Sequence, residues 1–109
     1  MNADVAATIV PAADARDLRR IRQLVNERLR PYGARIFLYG SRAHGSARRS
    51  SDVDVAVLAE PALPVGILSR LREELEESSV RLPVEIMDLA QANPALRERV
   101  MREGIVWND

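Results

Sequence analysis

The stretch Ile36-Phe37-Leu38-Tyr39-Gly40-Ser41-Arg42-Ala43-His44-Gly45-Ser46-Ala47-Arg48-Arg49-Ser50-Ser51-Asp52-Val53-Asp54-Val55 decides how the chain is read. Ile36 to Tyr39 form a short apolar run that reads as a buried strand, and Gly40-Ser41 leaves it as a turn into a helix. Backbone N–H groups at such a turn point outward and suit an anion, a triphosphate above all. Ten residues separate Ser41 from Asp52. Asp52 and Asp54 alternate with Val53, Val55 and Val57 in a second strand, so both carboxylates project from one face. Two carboxylates on one face suit divalent magnesium.

Working outward, Leu18, Ile21, Leu24, Val25 and Leu29 recur at helical spacing with Arg19, Arg20, Arg22 and Glu27 opposite, and Pro31-Tyr32-Gly33 stops this first helix. Asp14 is its expected N-cap, and residues 1–13 read as an irregular or flexible arm. The pattern then predicts strands over 35–39 and 53–58, with a motif helix over 42–47 between them. A second amphipathic helix is expected over 65–78, its stripe set by Leu68, Leu71 and Leu75, with a third strand over 84–89. Asn93-Pro94 is a cap followed by an N1 proline, opening a last helix that Gly104 ends. Ile105-Val106-Trp107 is an apolar tail, with Trp107 expected to pack on the sheet or the first helix. The order of elements predicts an α/β fold, a small mixed sheet flanked by helices.

A chain of 109 residues builds one small domain, 1–109, without room for a second substrate-binding lobe. Formal charge balances to zero, so no global basic field argues for direct nucleic-acid binding. All sixteen basic residues are Arg and none is Lys, which excludes Schiff-base and lysyl-nucleotide intermediates. Cysteine is absent, removing disulfides and thiolate metal sites. No apolar run approaches the roughly twenty residues that span a bilayer, and the expectation is a cytoplasmic protein with no membrane partner.

The Gly-Ser turn followed at this distance by Asp-x-Asp resembles the signature of the DNA polymerase beta-like nucleotidyltransferases. With Ala43, Gly45 and Ser51, and with the small size, the chain most resembles the minimal nucleotidyltransferases (MNT) encoded beside HEPN-domain partners in prokaryotes. The resemblance implies the nucleotidyltransferase fold with its site along one sheet edge. It further implies magnesium held by Asp52 and Asp54, two ions per site, ATP as nucleotide donor, and a third carboxylate in the next strand as general base or metal ligand. Glu85 occupies that place, while Asp88, at an odd offset of three, points to the other face and is expected to cap or pair near the last loop. A Glu in place of the usual Asp leaves open whether it ligates metal or only takes the nucleophile's proton.

Each of these residues has a plainer reading. Asp52 and Asp54 could be strand-end acids beside Arg48 and Arg49, but the spacing from Gly40-Ser41 favours metal. Gly40 lets backbone approach phosphate and Ser41 Oγ can donate to it, where a simple tight turn is the alternative. Arg42 either adds charge to the nucleotide or stands solvated, and Arg48 and Arg49 either meet phosphate or partner or lie in a solvated loop. His44, the one histidine, stands where many relatives have Arg; it would neutralise phosphate only when protonated, and a structural or exposed role is the expectation. Glu73, Glu74, Glu76 and Glu77 read as a solvated helix face offset by Arg70 and Arg72.

The function that follows is transfer of AMP from ATP to a hydroxyl of a HEPN-type toxin, a Tyr by the resemblance, making the chain an antitoxin. A binding antitoxin without catalysis is the competing class. A small-molecule nucleotidyltransferase completed by a partner is the other enzymatic alternative. Homo-oligomerisation stays open.

Overall fold

Val53, Val55 and Val57 are fully buried, and this apolar line fixes the strand around which the chain is arranged. The computed structural model describes residues 12–48 and 51–109. The elements run α1 (Ala12–Leu29), β1 (Arg35–Tyr39), α2 (Ser41–His44), β2 (Val53–Leu58), α3 (Ile67–Glu77), β3 (Val84–Asp88), α4 (Pro94–Glu103) and β4 (Ile105–Val106). The first two strands match their expected bounds, whereas α2 is shorter than expected and the C-terminal tail adds a strand. The sheet order is β3-β2-β1-β4. β1 is antiparallel to β2 and β4, and β2 is parallel to β3, which gives the mixed sheet expected.

Alternation along the strands divides the core in two. Ile36, Leu38, Val53, Val55, Val57 and Ile86 pack on Ile21, Leu24, Val25 and Leu29 of α1 and on Leu71 and Leu75 of α3. Phe37 and Ala56 face the other way, against Leu89 and Val100, with Tyr39, Met87 and Leu96 at the margin. Asp54 and Glu85 share this second face. Register is tightly specified, because a slip of one residue would bury Asp54 among apolar side chains and expose the valines.

The helices start and stop for local reasons. Asn93 caps α4 by accepting from Leu96 N–H at 2.8 Å, with Pro94 behind it. Asp14, expected to cap α1, instead lies inside its first turn and is buried. Helix α1 already includes residues 12 and 13 of the expected arm, and residues 1–11 lie outside the described residues. Asp17 reaches from α1 to accept from the N–H groups of Arg81 and Leu82 at 2.9 and 3.2 Å, holding the loop that leads into β3. Among the glutamates of α3, Glu74 is paired with Arg28 of α1 at 2.7 Å rather than with Arg70 or Arg72. The hydrogen bond to Arg28 holds the Glu74 carboxyl below its ordinary range. Arg72 donates to the Ile86 carbonyl at 2.7 Å. Among the described residues no helix is long and apolar enough to cross a membrane.

Trp107 is buried, as expected, and its N–H donates to the Ile36 carbonyl at 2.8 Å. Asn108 continues the pairing with its side chain: Ile36 N–H donates to its Oδ1 at 2.8 Å and its Nδ2 donates to the Ala34 carbonyl at 2.9 Å. Replacing Asn108 by Ala removes the side-chain partners of the Ile36 N–H and the Ala34 carbonyl, and urea unfolding should show a loss of about 1–3 kcal/mol with an unchanged m-value.

Candidate active site

β1 ends at Tyr39, and Gly40 turns the chain into α2 with φ +74° and ψ −152°. Essentially only glycine adopts this conformation. A Cβ here would also overlap the Asp54 carboxylate at Oδ2. Glycine is therefore required both by the turn and by the acid that lies against it. Ala43 and His44 N–H both donate to the Gly40 carbonyl at 3.1 Å. Ser41 and Arg42, the first residues of α2, have N–H groups with no intrahelical acceptor. Gly45, at φ +72°, ends the helix.

Strand pairing gathers the acids. Asp54 lies opposite Tyr39 on one side and Glu85 on the other, and Asp52 precedes β2 with the same parity. Burial pushes the Asp54 carboxyl above its ordinary range, and repulsion from Glu85 and Asp52 together with a hydrogen bond to Glu85 push it further. Among the described residues none of the three acids forms an ion pair with an arginine. Asp54 sits on the inner strand β2, Asp52 just before it and Glu85 on the edge strand β3, so the acids gather at one end of a sheet face. Helix α4 covers the Phe37 and Ala56 end of that face and leaves the acids open.

This donor set fits a divalent cation, since a bound charge would relieve the mutual repulsion that raises Asp54. Among the described residues no group of three acids or histidines is arranged as a cage for an ion. Magnesium does not need one, because it takes one or two carboxylates and completes its shell with phosphate and water.

Other candidates take different places. Arg42, expected at the nucleotide, is turned away and buried: Nη2 pairs with Asp14 Oδ2 at 3.3 Å, both side chains under a tenth exposed. Its Nε and Nη2 donate to the Ser51 carbonyl at 3.2 and 2.7 Å, so it anchors the residue before Asp52 to α1. Asp88 faces away from Glu85 and caps the next turn by accepting from Ala90 N–H at 3.0 Å. Arg48 is exposed and Arg49 lies outside the described residues. His44 is exposed and lines a cleft of about 310 Å³ between the turn and α4, together with Tyr39, Gly40, Ser41 and Arg99. A larger cavity of about 680 Å³ lies between α1 and the loop before β3, lined by Arg16, Arg20 and Arg81, and none of the three acids lines either cavity.

Tyr39 is the residue the sequence did not single out. Burial, then the charges of Asp54 and Glu85, push its hydroxyl up to about 12, so it stays a hydrogen-bond donor beside the acids. Its neighbourhood depends on antiparallel register, and the one signal for it is its place next to Gly40.

A glycine-seated turn thus lies against the half-buried Asp54, with Glu85 across a parallel strand. A family model described as Polymerase beta, Nucleotidyltransferase matches residues 21–107, from α1 through β4. The chain belongs to this nucleotidyltransferase family. It is similar to the Probable protein adenylyltransferase MntA of Haemophilus influenzae, 31% identical over 71 residues that cover 65% of this chain and 62% of that protein. Protein adenylyltransferase MntA of Shewanella oneidensis is 35% identical over 69 residues, covering 63% of this chain and 49% of that protein. The matched stretch is thus about half to three-fifths of those relatives' lengths. Among solved structures, a crystal structure of a toxin-antitoxin with AMP-PNP is similar at a TM-score of 0.63 and 28% identity, over 79% of this chain and 71% of that one.

Gly40→Ala should destabilise the fold by about 1–3 kcal/mol, read by chemical denaturation, and should displace Asp54. The raised Asp54 carboxyl means the folded state binds its proton more tightly than the unfolded chain. Its charged form therefore costs stability above the raised folded value, and that cost fades as pH falls from there toward the ordinary carboxylate range. Asp54→Asn should accordingly raise the melting temperature at pH 7 in metal-free buffer, with the gain disappearing in acid.

Proposed function

We propose that the protein is a magnesium-dependent protein adenylyltransferase that moves AMP from ATP to a hydroxyl, a tyrosine, of a HEPN-type toxin and so acts as its antitoxin. The observation that carries this reading is the contact of the Asp54 carboxylate with Gly40, which brings a phosphate-binding turn and the acid cluster together. The similarity to two MntA adenylyltransferases and to a toxin-antitoxin bound to AMP-PNP supports the donor and the class of partner. The cysteine-free composition supports a cytoplasmic location.

In this reading Asp52 and Asp54 hold the metal, and the Gly40-Ser41 turn holds phosphate through backbone N–H groups and Ser41 Oγ. Two magnesium ions bound there would supply positive charge to the attacking and the departing oxygens. Glu85, exposed beside Asp54, takes the proton from the acceptor hydroxyl. That oxygen bonds to the α-phosphorus, the bond from the α-phosphorus to the bridging oxygen breaks, and pyrophosphate leaves with the electron pair. Tyr39 keeps its hydroxyl proton at the edge of the cluster. Arg42 acts from beneath, holding Ser51 so that Asp52 keeps its place. In this reading the partner contributes to the acceptor pocket.

Co-expression with the product of the neighbouring reading frame, followed by intact mass measurement of that product, tests this. Wild-type protein should add nucleotide-sized increments, and the double variant Asp52→Asn, Asp54→Asn should reduce labelling by at least about a hundredfold while remaining folded. Undiminished labelling by the double variant would sink the assignment of the acids. No increment with either form, and equal relief of toxicity by both, would mean neutralisation by binding alone.

A further inference from the structure

The cleft between the Gly40-Ser41 turn and α4 raises a charge problem. The acids do not line this cleft, but the Gly40-Ser41 turn does, and with the turn holding the outer phosphates, as the proposed function has it, negative charge grows beside the cleft as pyrophosphate leaves. The arginine next to Ser41 does not meet that charge, because Arg42 is buried against Asp14 and the Ser51 carbonyl. The chain has no lysine. Among the described residues lining the cleft, Arg99 of α4 is the one arginine.

Arg99 is also free to change partner. Its Nε donates to Glu103 Oε2 at 3.0 Å, one helical turn on, with the two side chains 68% and 39% exposed. An ion pair so exposed holds weakly, whereas a phosphate oxygen matches the guanidinium fork and accepts two hydrogen bonds from it. The helix that carries Arg99 is fixed in place. Val100 is buried beneath it, Gly104 N–H donates to the Val100 carbonyl at 2.7 Å, and Arg97 Nε donates to the Leu89 carbonyl at 3.0 Å.

We infer that Arg99 is a substrate-binding residue of this site, gripping the β- or γ-phosphate of the nucleotide from α4 and exchanging Glu103 for phosphate as the donor binds. The inference rests on the nucleotide-transfer reading and adds to it a residue that lies 58 positions from Ser41 in sequence, on the opposite wall of the cleft. Its charge is always present, so donor binding through it does not depend on the protonation of His44.

Calorimetric titration with a non-hydrolysable ATP analogue and magnesium, alongside steady-state labelling of the partner, tests it. Arg99→Gln should weaken analogue binding and raise KM for ATP by about tenfold to a hundredfold, with an unchanged melting temperature. Binding of AMP, which lacks the outer phosphates, should be unaffected. Arg99→Lys should recover part of the loss, and Glu103→Gln should bind the analogue at least as tightly as wild type. Equal analogue binding by Arg99→Gln and wild type overturns the inference and leaves the transfer reading standing. So does an equal loss of AMP binding, which would mark a structural defect, and weaker binding by Glu103→Gln overturns the exchange. A wild-type protein that binds the analogue yet never labels the partner overturns the transfer reading alone, while the Arg99 comparison still decides this one. A wild-type protein that binds no nucleotide overturns both.

Discussion

The Asp54 carboxylate lies directly against Gly40, and most of the site depends on that contact. It exists because β1 and β2 are antiparallel with Tyr39 opposite Asp54, so the residue that turns the chain out of β1 sits beside the acid that enters β2. The valines of β2 lock this register through their burial on the other face. Glycine then serves two ends at once. Its backbone adopts a conformation denied to other residues, and its missing side chain makes room for the carboxylate.

The same arrangement sets stability against chemistry. Parallel pairing of β2 with β3 adds Glu85 to Asp54, and partial burial together with the charges of Glu85 and Asp52 raises the cost of ionising Asp54. Hydrophobic burial on the opposite face sustains this cost, and a bound cation with phosphate would relieve it. Acids that repel one another on an otherwise well-packed sheet cost the fold stability in the absence of a ligand.

Arginine takes two kinds of place around these acids. Arg42 is enclosed with Asp14 and fixes the segment before Asp52, a role that a guanidinium fills well because its several N–H groups can bond a carboxylate and a carbonyl together. Arg99 stands exposed across the cleft and is loosely paired. The arginine adjacent in sequence to the turn is thus structural, and the one lining the cleft comes from a distant helix.

Much of the fold was legible from local pattern. Strand alternation gave the bounds of β1 and β2, Asn93-Pro94 gave the start of α4, and the odd offset of Asp88 correctly separated it from Glu85. These features depend on backbone periodicity and capping, which neighbouring residues dictate. Asp14 misled because an acid near a helix start reads as a cap whether or not a cation lies over it, and the cation here comes from residue 42. The tail at Ile105–Val106 became a strand only because the edge of β1 was there to pair with it. By itself the sequence determined the elements, the turn and the side of each strand on which an acid falls. Tertiary structure alone decided which groups meet: the burial of Arg42 against Asp14, the approach of Tyr39 to Asp54 and the placing of Arg99 and Ser41 on one cleft join residues far apart in the chain, and only the sheet register and helix packing do this.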